Sequence, residues 1–406
     1  MKLLKLALAL ALFLTACGKT GDISEPPENA ASAQKTADQN AEMGWRLFHK
    51  ERQLKSGQNV LISPYSIQTA MQMAANGAQQ LTLEELMVFL RCGGECNTDS
   101  LNAGYEALRY WLEEKSGHPQ VTSANGFFYD PLRVNVDPGF ININQSAYAC
   151  QEKPLNFSNE PVALAFINDW VKESTNNKID KILERITSDD VAFLINALHF
   201  KADWATGFVQ QMTFEETFTR ADGSTVMANF VNGDRNFTFK ITPQFQLVDI
   251  PFRDSTYSMS LIQPGLSNSS ADWPAALDAT VWKKLYEDAQ YSRAITYFPR
   301  MKLTYKNDLI PAMKALGLNE PFSGNRADFS RLGTAINGGN IFISQVQHKT
   351  VLEVDEKGAE GAAVTTVGFA QTSLPPVFRF NKPFVLVLRH IPTNTMMFVG
   401  YVEKPQ

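Results

Sequence analysis

The chain has 406 residues, of which 44% are hydrophobic and 19% charged, and these proportions are typical of a folded globular protein rather than a disordered one. Its formal net charge of -5 provides no basic surface that could hold a phosphate backbone, so we expect no nucleic acid partner.

The chain begins with a targeting segment. An apolar run over residues 6–14 follows two lysines, which suits a secretory signal and is too short to span a bilayer. The run ends at Leu14-Thr15-Ala16-Cys17, which resembles the lipobox of bacterial lipoproteins, where cleavage leaves a cysteine that becomes acylated. We predict a signal peptide over residues 1–16 and an exported protein, lipid-anchored through Cys17 to the periplasmic or cell-surface face of a bacterial membrane. An ordinary signal peptide with an incidental cysteine is the alternative.

The segment after the signal peptide has the composition of a linker. Residues 17–38 are rich in alanine, serine, glutamine and acidic residues and contain Pro26-Pro27. Because such a segment buries little apolar surface, we predict that it carries the lipidated cysteine on a flexible tether. We place the folded part over residues 39–406. No second linker interrupts it, so we expect one domain, although the length alone would suggest two or three.

The folded part begins with helical patterns. An apolar periodicity runs from Gln39 to Phe48, and residues 59–62 then form a short predicted strand that leads into a helix. Ser63 suits the cap of that helix, Pro64 suits its first turn, and Gly77 can end it.

A further helical pattern over residues 83–90 is followed by Cys92 and Cys96. In an exported protein these two residues can form a small local disulfide, which would leave Cys150 without a partner. A metal site is the alternative, but the sequence has no nearby histidines and no second cysteine pair. We expect neither a metal ion nor a cofactor.

The remaining elements change from mixed helix and strand to mostly strand. Residues 191–200 are almost continuously apolar and β-prone, as expected for a strand that is covered on both faces. The other predicted elements are a strand over 123–129, a helix over 166–177, strands within 214–264 and over 295–301, and a helix over 307–316 that Gly317 ends. Helices mixed with many strands, several of them wholly apolar, predict an α+β fold.

The segment from residue 355 to residue 376 combines features of a loop and of a strand. After the acidic turn Asp355-Glu356-Lys357-Gly358, mostly small and β-branched residues continue to Thr372, and Pro375-Pro376 end the run. The valines and threonines favour extended structure, whereas a permanent strand would not be so poor in large side chains. The pattern therefore indicates a loop that can become a strand.

Five blocks of the sequence, in order, resemble signatures of the serpin family. They are residues 59–78 with Ser63-Pro64-Tyr65-Ser66, residues 167–179 with Trp170, residues 196–204 from Asn196 to Trp204, residues 355–358, and residues 380–400 beginning with Phe380-Asn381-Lys382-Pro383-Phe384. The resemblance covers about Gln39–Lys404. It implies a single α+β domain with three β-sheets, about nine helices and an exposed reactive loop, in a native state that is metastable.

The resemblance also implies a site in the central sheet. Ser63, Ser66, Asn196 and His348 would lie at the shutter, where this sheet must part. Their hydroxyl, amide and imidazole groups can form a hydrogen-bond network that holds two strands together and can still be exchanged. The alternative is that each group only satisfies its own surroundings.

The breach, the hinge and the reactive bond follow from the same resemblance. Trp204 and Glu356 would lie at the breach, the upper end of the central sheet. The implied hinge residues are Glu356, Gly358, Ala359, Gly361, Ala362 and Ala363. Counting along the family pattern places the reactive bond between Thr372 and Ser373.

These features imply a suicide-substrate inhibitor of serine proteases and not an enzyme. The protease would cleave after Thr372, and the cleaved loop would insert into the central sheet as a new strand and trap the acyl-enzyme. Because Thr372 is uncharged and β-branched, we expect elastase-like or subtilisin-like targets, and cysteine proteases stay open as targets. We expect a monomer whose partners are the protease, in a covalent complex, and the membrane.

Two alternatives stay open. A non-inhibitory serpin could act as a cell-surface binding protein, and Gly361 supports this because alanine is usual there and glycine weakens a strand by roughly 0.5–1 kcal/mol. A serine hydrolase would need an activated serine near a histidine and a carboxylate. The sequence has five histidines but no Gly-x-Ser-x-Gly context, which speaks against a hydrolase.

Overall fold

The structure of the protein, a computed structural model, describes residues 30–114, 120–358 and 374–405. The predicted signal peptide and Cys17 lie outside these ranges. So do most of the predicted hinge and the whole reactive bond, which comprise Ala359, Gly361, Ala362, Ala363, Thr372 and Ser373.

Eight α-helices lie within the described ranges. They are α1 (Ala30–Leu54), α2 (Pro64–Gly77), α3 (Gln80–Phe89), α4 (Thr98–Arg109), α5 (Pro138–Tyr148), α6 (Glu160–Ser174), α7 (Ala279–Lys284) and α8 (Ile310–Ala315). Shorter helical turns lie at Tyr110–Glu114, Gln210–Met212, Arg253–Ser255, Trp273–Ala276 and Glu320–Phe322. The predicted start of α2 is confirmed, because the Ser63 hydroxyl accepts the Ser66 N–H at 3.2 Å and Pro64 occupies the first helical position.

Sixteen β-strands lie within the same ranges. They are β1 (Val60–Ile62), β2 (Gln120–Tyr129), β3 (Val134–Val136), β4 (Gln151–Pro154), β5 (Ala192–Lys201), β6 (Phe214–Thr219), β7 (Thr225–Ile241), β8 (Phe245–Pro251), β9 (Tyr257–Pro264), β10 (Gln290–Pro299), β11 (Met301–Asp308), β12 (Gly333–Ala335), β13 (Gln347–Val354), β14 (Val377–Arg379), β15 (Phe384–His390) and β16 (Thr395–Val402). The predicted α+β fold is confirmed.

The largest sheet has nine strands and contributes many residues to the core. Its order is β1-β16-β15-β9-β8-β7-β10-β14, with β6 paired to β7. Every residue of β15 and of β16 is buried, and both strands are mostly apolar instead of alternating, although β15 ends with Arg389 and His390. A small separate sheet joins β12 to β3.

The central sheet is divided into two parts. The strands β4, β2 and β5 form one part, and β11 and β13 form the other. One face of β5 packs towards α2 and the main core, and the other face packs against α6, which confirms that this strand is covered on both faces. The two parts lie beside each other, and the gap between β5 and β13 is the feature on which the site is built.

The helix α1 corrects the predicted boundary of the tether. It begins at Ala30, within residues 17–38, and its buried residues include Ala33, Thr36 and Ala37. The burial is possible because small residues let α1 approach α4 closely: a Cβ added at Gly104 would lie only 2.2 Å from Thr36 Oγ1. The folded part therefore begins by Ala30 instead of at residue 39.

Two further observations concern covalent links and membrane spans. Cys92 and Cys96 form a disulfide with a Cα–Cα distance of 5.3 Å, and Cys150 is buried as a free thiol whose pKa burial raises to about 12. Of the helices in the described ranges, none has the length and hydropathy that crossing a bilayer requires.

Candidate functional site

The gap between β5 and residues 341–354 is called the seam here. Within the described residues, β5 is hydrogen-bonded in a ladder only to β2, and β13 only to β11. A single antiparallel bridge, Asp203 to Gly358, joins the two parts just beyond the ends of both strands. We call that end of the seam the upper end, and the end near Asp189 the lower end. The edges of β5 and β13 therefore face each other without forming a sheet.

Trp204 closes the upper end of the seam. Its backbone N–H donates to the carbonyl of Lys357 at 2.9 Å, and its indole N–H donates to the carbonyl of Asp355 at 2.9 Å. The indole ring stacks on Phe252 with ring centroids 4.5 Å apart. Nearby, the N–H of Phe208 donates to the carbonyl of Glu356 at 2.8 Å. Directional hydrogen bonds thus attach the start of the hinge to the chain that follows β5.

Glu356 adds a buried ion pair at the same end. Its carboxylate accepts two hydrogen bonds from Arg300 Nε, at 2.7 Å and 2.8 Å, and another from the Thr213 hydroxyl. The Glu356 side chain is 6% exposed and that of Arg300 is 35% exposed. Burial by itself would raise the pKa of Glu356, but the hydrogen bonds from Arg300 and Thr213 outweigh it, and the pKa is lowered. The carboxylate is therefore ionised at neutral pH.

Gly358 is required by the geometry of the bridge. Its φ is +135°, a backbone conformation that side chains disfavour, and an added Cβ would lie 2.4 Å from the carbonyl oxygen of Ala202. The turn before it is held by Asp355, whose Oδ1 accepts the N–H of Lys357 at 2.7 Å and that of Gly358 at 3.2 Å. Only glycine lets the chain pass so close to the end of β5.

The first turn of α2 contacts both parts of the central sheet, midway along the seam. The backbone N–H of Ser63 donates to Nε2 of His348 on β13, at 3.1 Å. The hydroxyl of Ser66 donates to Oδ1 of Asn196 on β5. The predicted shutter residues Ser63, Ser66, Asn196 and His348 are therefore together. The α2 turn links Asn196 on β5 to His348 on β13 through hydrogen bonds to each.

The position of His348 determines its protonation. The ring is buried, and burial lowers its pKa to about 4. Because Nε2 accepts the Ser63 N–H, the neutral ring must carry its proton on Nδ1. A second proton would place two N–H groups against each other, so the contact exists only with neutral histidine.

The network at Asn196 includes residues that the sequence analysis missed. The Asn196 amide donates to the Ser123 hydroxyl at 2.9 Å and to Oδ1 of Asn125 at 2.8 Å. The Asn125 amide then donates to the Tyr105 hydroxyl at 3.2 Å and to the carbonyl of Tyr148 at 2.7 Å. A signal was present in the sequence, since Asn125 and Asn196 each interrupt a β-prone run, and the register of β2 and β5 pairs them directly.

A cavity of about 130 Å³ lies in the lower half of the seam. Its walls come from β5, from α2 and from the extended residues 341–348. Apolar side chains supply most of the lining, among them Ile67, Met71, Phe127 and Leu332. The hydroxyl of Ser344 donates to Asp190 Oδ1 at 2.6 Å across the bottom of the seam.

Residues 175–186, which we call the covering segment, pass over the seam. Ile179 and Ile182 line small cavities together with residues of both β5 and β13. They belong to an apolar cluster that contains Ile195 and Ala197 of β5, with Val351 of β13 packed against it. Any strand added between β5 and β13 would displace part of this contact.

Ion pairs attach the covering segment to the β11–β13 part of the sheet. Lys349 Nζ lies 2.6 Å from Asp180 Oδ1, and Lys178 Nζ lies 3.1 Å from Glu353 Oε2. Lys302 also contacts Glu353, at 2.8 Å. The hydrogen bond from Lys349 lowers the pKa of Asp180, and the hydrogen bond from Lys302 is the main cause of the lowered pKa of Glu353. The carboxylates of both pairs are therefore ionised at neutral pH.

Comparison with known proteins identifies the family. The family model described as serpin, a serine protease inhibitor, matches residues 38–405. The chain belongs to the serpin family. Among curated proteins, the chain is 29% identical to antithrombin-III of Homo sapiens over 357 residues, which is 86% of this chain and 76% of that protein. It is 29% identical to Iripin-2 of Ixodes ricinus over 388 residues, or 92% of this chain and 95% of the relative.

A solved structure of another serpin has the same fold. The crystal structure of the thermophilic serpin tengpin in the native state superposes with a TM-score of 0.82 and 28% identity, over 91% of this chain and 94% of tengpin. The predicted family and fold are thereby confirmed. The family model is one of protease inhibitors and not of catalysts.

The structure places the described site residues of this serpin at two levels of the seam. Ser63, Ser66, Asn196 and His348 lie midway, as described above. Trp204, Glu356 and Gly358 lie at the upper end. The roles assigned to them by family resemblance stay predictions, as do those of the hinge and reactive-bond residues outside the described ranges.

Proposed function

We propose that this serpin inhibits serine proteases as a suicide substrate. The observation that carries the proposal is the seam, in which the edges of β5 and β13 face each other with no ladder between them in the described residues. Unpaired strand edges accept an additional strand, because its N–H and C=O groups can pair on both sides. The chain between Gly358 and Leu374 starts directly above this opening.

The proposed reaction begins as ordinary proteolysis. The serine hydroxyl of the protease attacks the carbonyl carbon of Thr372 and loses its proton to the base of the protease. The bond from that carbon to the nitrogen of Ser373 breaks, the protonated base gives its proton to that nitrogen, and the new amine leaves with the C-terminal fragment. An ester then joins Thr372 to the protease. The freed end of the loop enters the seam as a strand and carries the protease with it before water can hydrolyse the ester.

The target class follows from the residue before the proposed reactive bond. Thr372 carries no charge, so a protease pocket built around a buried carboxylate would gain no ion pair with it. We propose elastase-like or subtilisin-like proteases, which have small to medium apolar pockets, and cysteine proteases as secondary targets.

The predicted lipobox suggests where in the cell the inhibitor acts. We propose that Cys17 is acylated and holds the inhibitor at a bacterial membrane, on its periplasmic or cell-surface face. Mass spectrometry of the mature N-terminus would detect a lipid on Cys17, and Cys17→Ala should move the protein from the membrane fraction to the soluble fraction. An unmodified mature N-terminus would contradict this anchoring.

A test of inhibition uses a panel of proteases. Incubation with a matching serine protease should give a band on denaturing gels that contains both proteins, and mass spectrometry should find a fragment starting at Ser373. Ala359→Arg should keep the cleavage and abolish the covalent band, because a charged side chain in the hinge cannot enter the sheet.

The alternative function has one observation in its favour. Gly361 in the predicted hinge would slow insertion, which suits a non-inhibitory serpin that acts as a cell-surface binding protein. Cleavage without any covalent band, for every protease tested, would favour this alternative.

A further inference from the structure

The lower half of the seam contains the 130 Å³ cavity, and the sequence of the loop offers one side chain that fits it. An apolar cavity of about 150 Å³ can accommodate a benzene molecule. The loop residues between Gly358 and Leu374 number fifteen, 359 to 373 inclusive, and only one of them, Phe369, is aromatic. Whether Phe369 can reach the cavity depends on the register of an inserted strand.

The bridge at the upper end defines that register. Gly358 lies opposite Asp203 in antiparallel orientation. If the ladder continues downwards from this bridge, the residue n positions after Gly358 lies opposite the residue n positions before Asp203. Phe369 is eleven positions after Gly358, since 369 − 358 = 11, and lies opposite Ala192, since 203 − 11 = 192. By the same count, Thr365 lies opposite Asn196 in the shutter.

The faces of β5 decide where each loop side chain would point. Residues directly opposite each other on antiparallel strands share a face of the sheet. Phe193, Ile195 and Ala197 face the α6 cluster, whereas Ala192 and Leu194 pack against the main core. A residue opposite Ala192 therefore points to the side on which α2 lines the cavity.

Alternation along the loop separates its side chains in the same way. The residues on the core side would be Ala359, Gly361, Ala363, Thr365, Val367, Phe369 and Gln371. The five that precede Phe369 are small or medium, and Thr365 lies at the level of Asn196, which binds Ser66 in the shutter. Phe369, the only aromatic residue among them, lies below the shutter, at the level where Ile67, Met71 and Leu332 line the cavity, and only Gln371 follows it on this side.

We propose that Phe369 anchors the inserted loop by placing its phenyl ring in the cavity between α2 and the lower half of β5. This inference rests on the proposed function, because it describes how the cleaved loop is held. The cavity is then the docking site for a specific residue of the same chain. The contact forms only when nearly the whole loop has entered, so it stabilises complete insertion over partial insertion.

A peptide experiment tests the anchor without any protease. A synthetic peptide of residues 359–372 is added to the intact protein, and its affinity is measured from tryptophan fluorescence and from the shift in melting temperature. We expect binding that stabilises the protein. The peptide with Phe369→Ala should bind about 100-fold more weakly, which corresponds to the loss of a buried phenyl group.

A control peptide with the same amino-acid composition tests whether the position of the phenyl group matters. In the peptide with Gly368→Phe and Phe369→Gly, the phenyl group moves by one residue and should point to the α6 face. It should bind as weakly as the Phe369→Ala peptide. If the exchanged peptide or the alanine peptide binds as tightly as the natural sequence, the anchor is refuted while loop insertion stands. If the natural peptide does not bind at all, loop insertion itself fails.

The full chain provides a second measurement. The loop of the intact protein is cleaved to completion with a catalytic amount of protease, and the melting temperature is compared before and after cleavage. The natural chain should gain stability, and the Phe369→Ala chain should gain several degrees less. An equal gain in both would refute the anchor, and no gain in the natural chain would refute the proposed function.

Discussion

The two ends of the seam are built differently. At the upper end, Trp204 and Phe208 donate hydrogen bonds to the chain at Asp355, Lys357 and Glu356, and the carboxylate of Glu356 binds Arg300. At the lower end a cavity lies between the two parts of the sheet. The covering segment passes over the seam above this cavity, and the pair of Lys349 and Asp180 attaches it to β13.

Because of this difference, we expect the upper end to slow the insertion of the loop and the lower end to stabilise the inserted form. A strand that enters below Gly358 keeps the bridge to Asp203, but it must loosen the side-chain contacts of Trp204 and Glu356 that hold the turn before it, and each hydrogen bond there contributes about 1 kcal/mol net. Further down, it displaces part of the covering segment, but it gains unpaired strand edges and an apolar cavity. The upper end should therefore govern how fast the native state converts, and the lower end how stable the product is.

The largest expected effect is the loss of folding stability when His348 is protonated in the shutter, which lies between the two ends of the seam. The pKa of His348 is about 4 in the folded protein against an ordinary value of 6.5. Above pH 6.5 the ring is neutral in both the folded and the unfolded state. As the pH falls from 6.5 towards 4, the unfolded state binds the proton first, so the folded state loses stability, by up to about 3 kcal/mol. Urea unfolding at pH 7.5, 5 and 4 measures this loss.

The variant His348→Gln serves as the comparison for the pH effect. Glutamine cannot bind the proton. The free energy of unfolding should therefore fall less for the variant than for the natural chain between pH 7.5 and pH 4, and the two losses should differ by about 3 kcal/mol. His390, whose pKa burial lowers to about 3, contributes equally to both proteins and cancels in the difference. Parallel pH profiles of the two proteins would show that His348 does not weaken the shutter on protonation.

The next effect is expected at the upper end. Glu356→Ala leaves Arg300 without its carboxylate, and since Arg300 is 35% exposed, water replaces part of the lost interaction. We expect a loss of about 2 kcal/mol in the free energy of unfolding, less than the roughly 3–5 kcal/mol of a fully buried pair, and faster spontaneous conversion of the native state. Urea unfolding and the rate of peptide insertion measure the two effects.

A matched control for Glu356 is available in the same protein. Asp234 binds Arg293 at 2.8 Å, but the two side chains are 39% and 44% exposed. Asp234→Ala should therefore cost under about 1 kcal/mol and leave the insertion rate unchanged. Equal effects of the two substitutions would contradict the special role of the upper end.

A smaller effect is expected at Gly358. An alanine there would bring Cβ to 2.4 Å from the Ala202 carbonyl oxygen at a φ of +135°, so the bridge must open, at a cost of about 1–2 kcal/mol. Gly338→Ala is the control, because its φ is +73° and nothing lies within 4 Å of the added Cβ. The melting temperatures of both variants are compared. Gly338→Ala reports the backbone strain alone, and any larger loss in Gly358→Ala is caused by the collision with Ala202. A smaller loss for Gly358→Ala than for Gly338→Ala would argue against the bridge.

Local patterns in the sequence predicted the elements around the seam but not its partners. The apolar run over residues 191–200 predicted β5 because a strand covered on both faces needs no alternation. The start of α1 was missed because its buried face is made of alanine, threonine and glutamine instead of large apolar residues. Hydrophobic periodicity detects large side chains, whereas close helix packing uses small ones.

The site shows the same limit more strongly. The shutter residues were named from motifs, but the role of the α2 turn between His348 and Asn196 needs the tertiary structure. The pair of Lys349 and Asp180 joins residues 169 positions apart, and no local pattern connects them. Surface charges have many potential partners in a sequence, so which of them pair depends on the completed fold.

The smallest effect on stability is expected at the covering segment. Its variants test whether the upper end alone determines the rate of insertion. Lys349→Ala removes the pair with Asp180, which is 76% exposed, so the free energy of unfolding should fall by only about 0.5 kcal/mol. The rate of peptide insertion should nevertheless rise about twofold, since 0.5 kcal/mol corresponds to that factor. Sodium chloride at high concentration should raise the insertion rate of the natural chain, and it should raise that of the variant less, because salt screens the same pair.

Arg293→Ala, which breaks an exposed pair away from the seam, should leave the rate unchanged. If Lys349→Ala also leaves it unchanged, the covering segment plays no part in the barrier, and the upper end alone determines the rate of insertion.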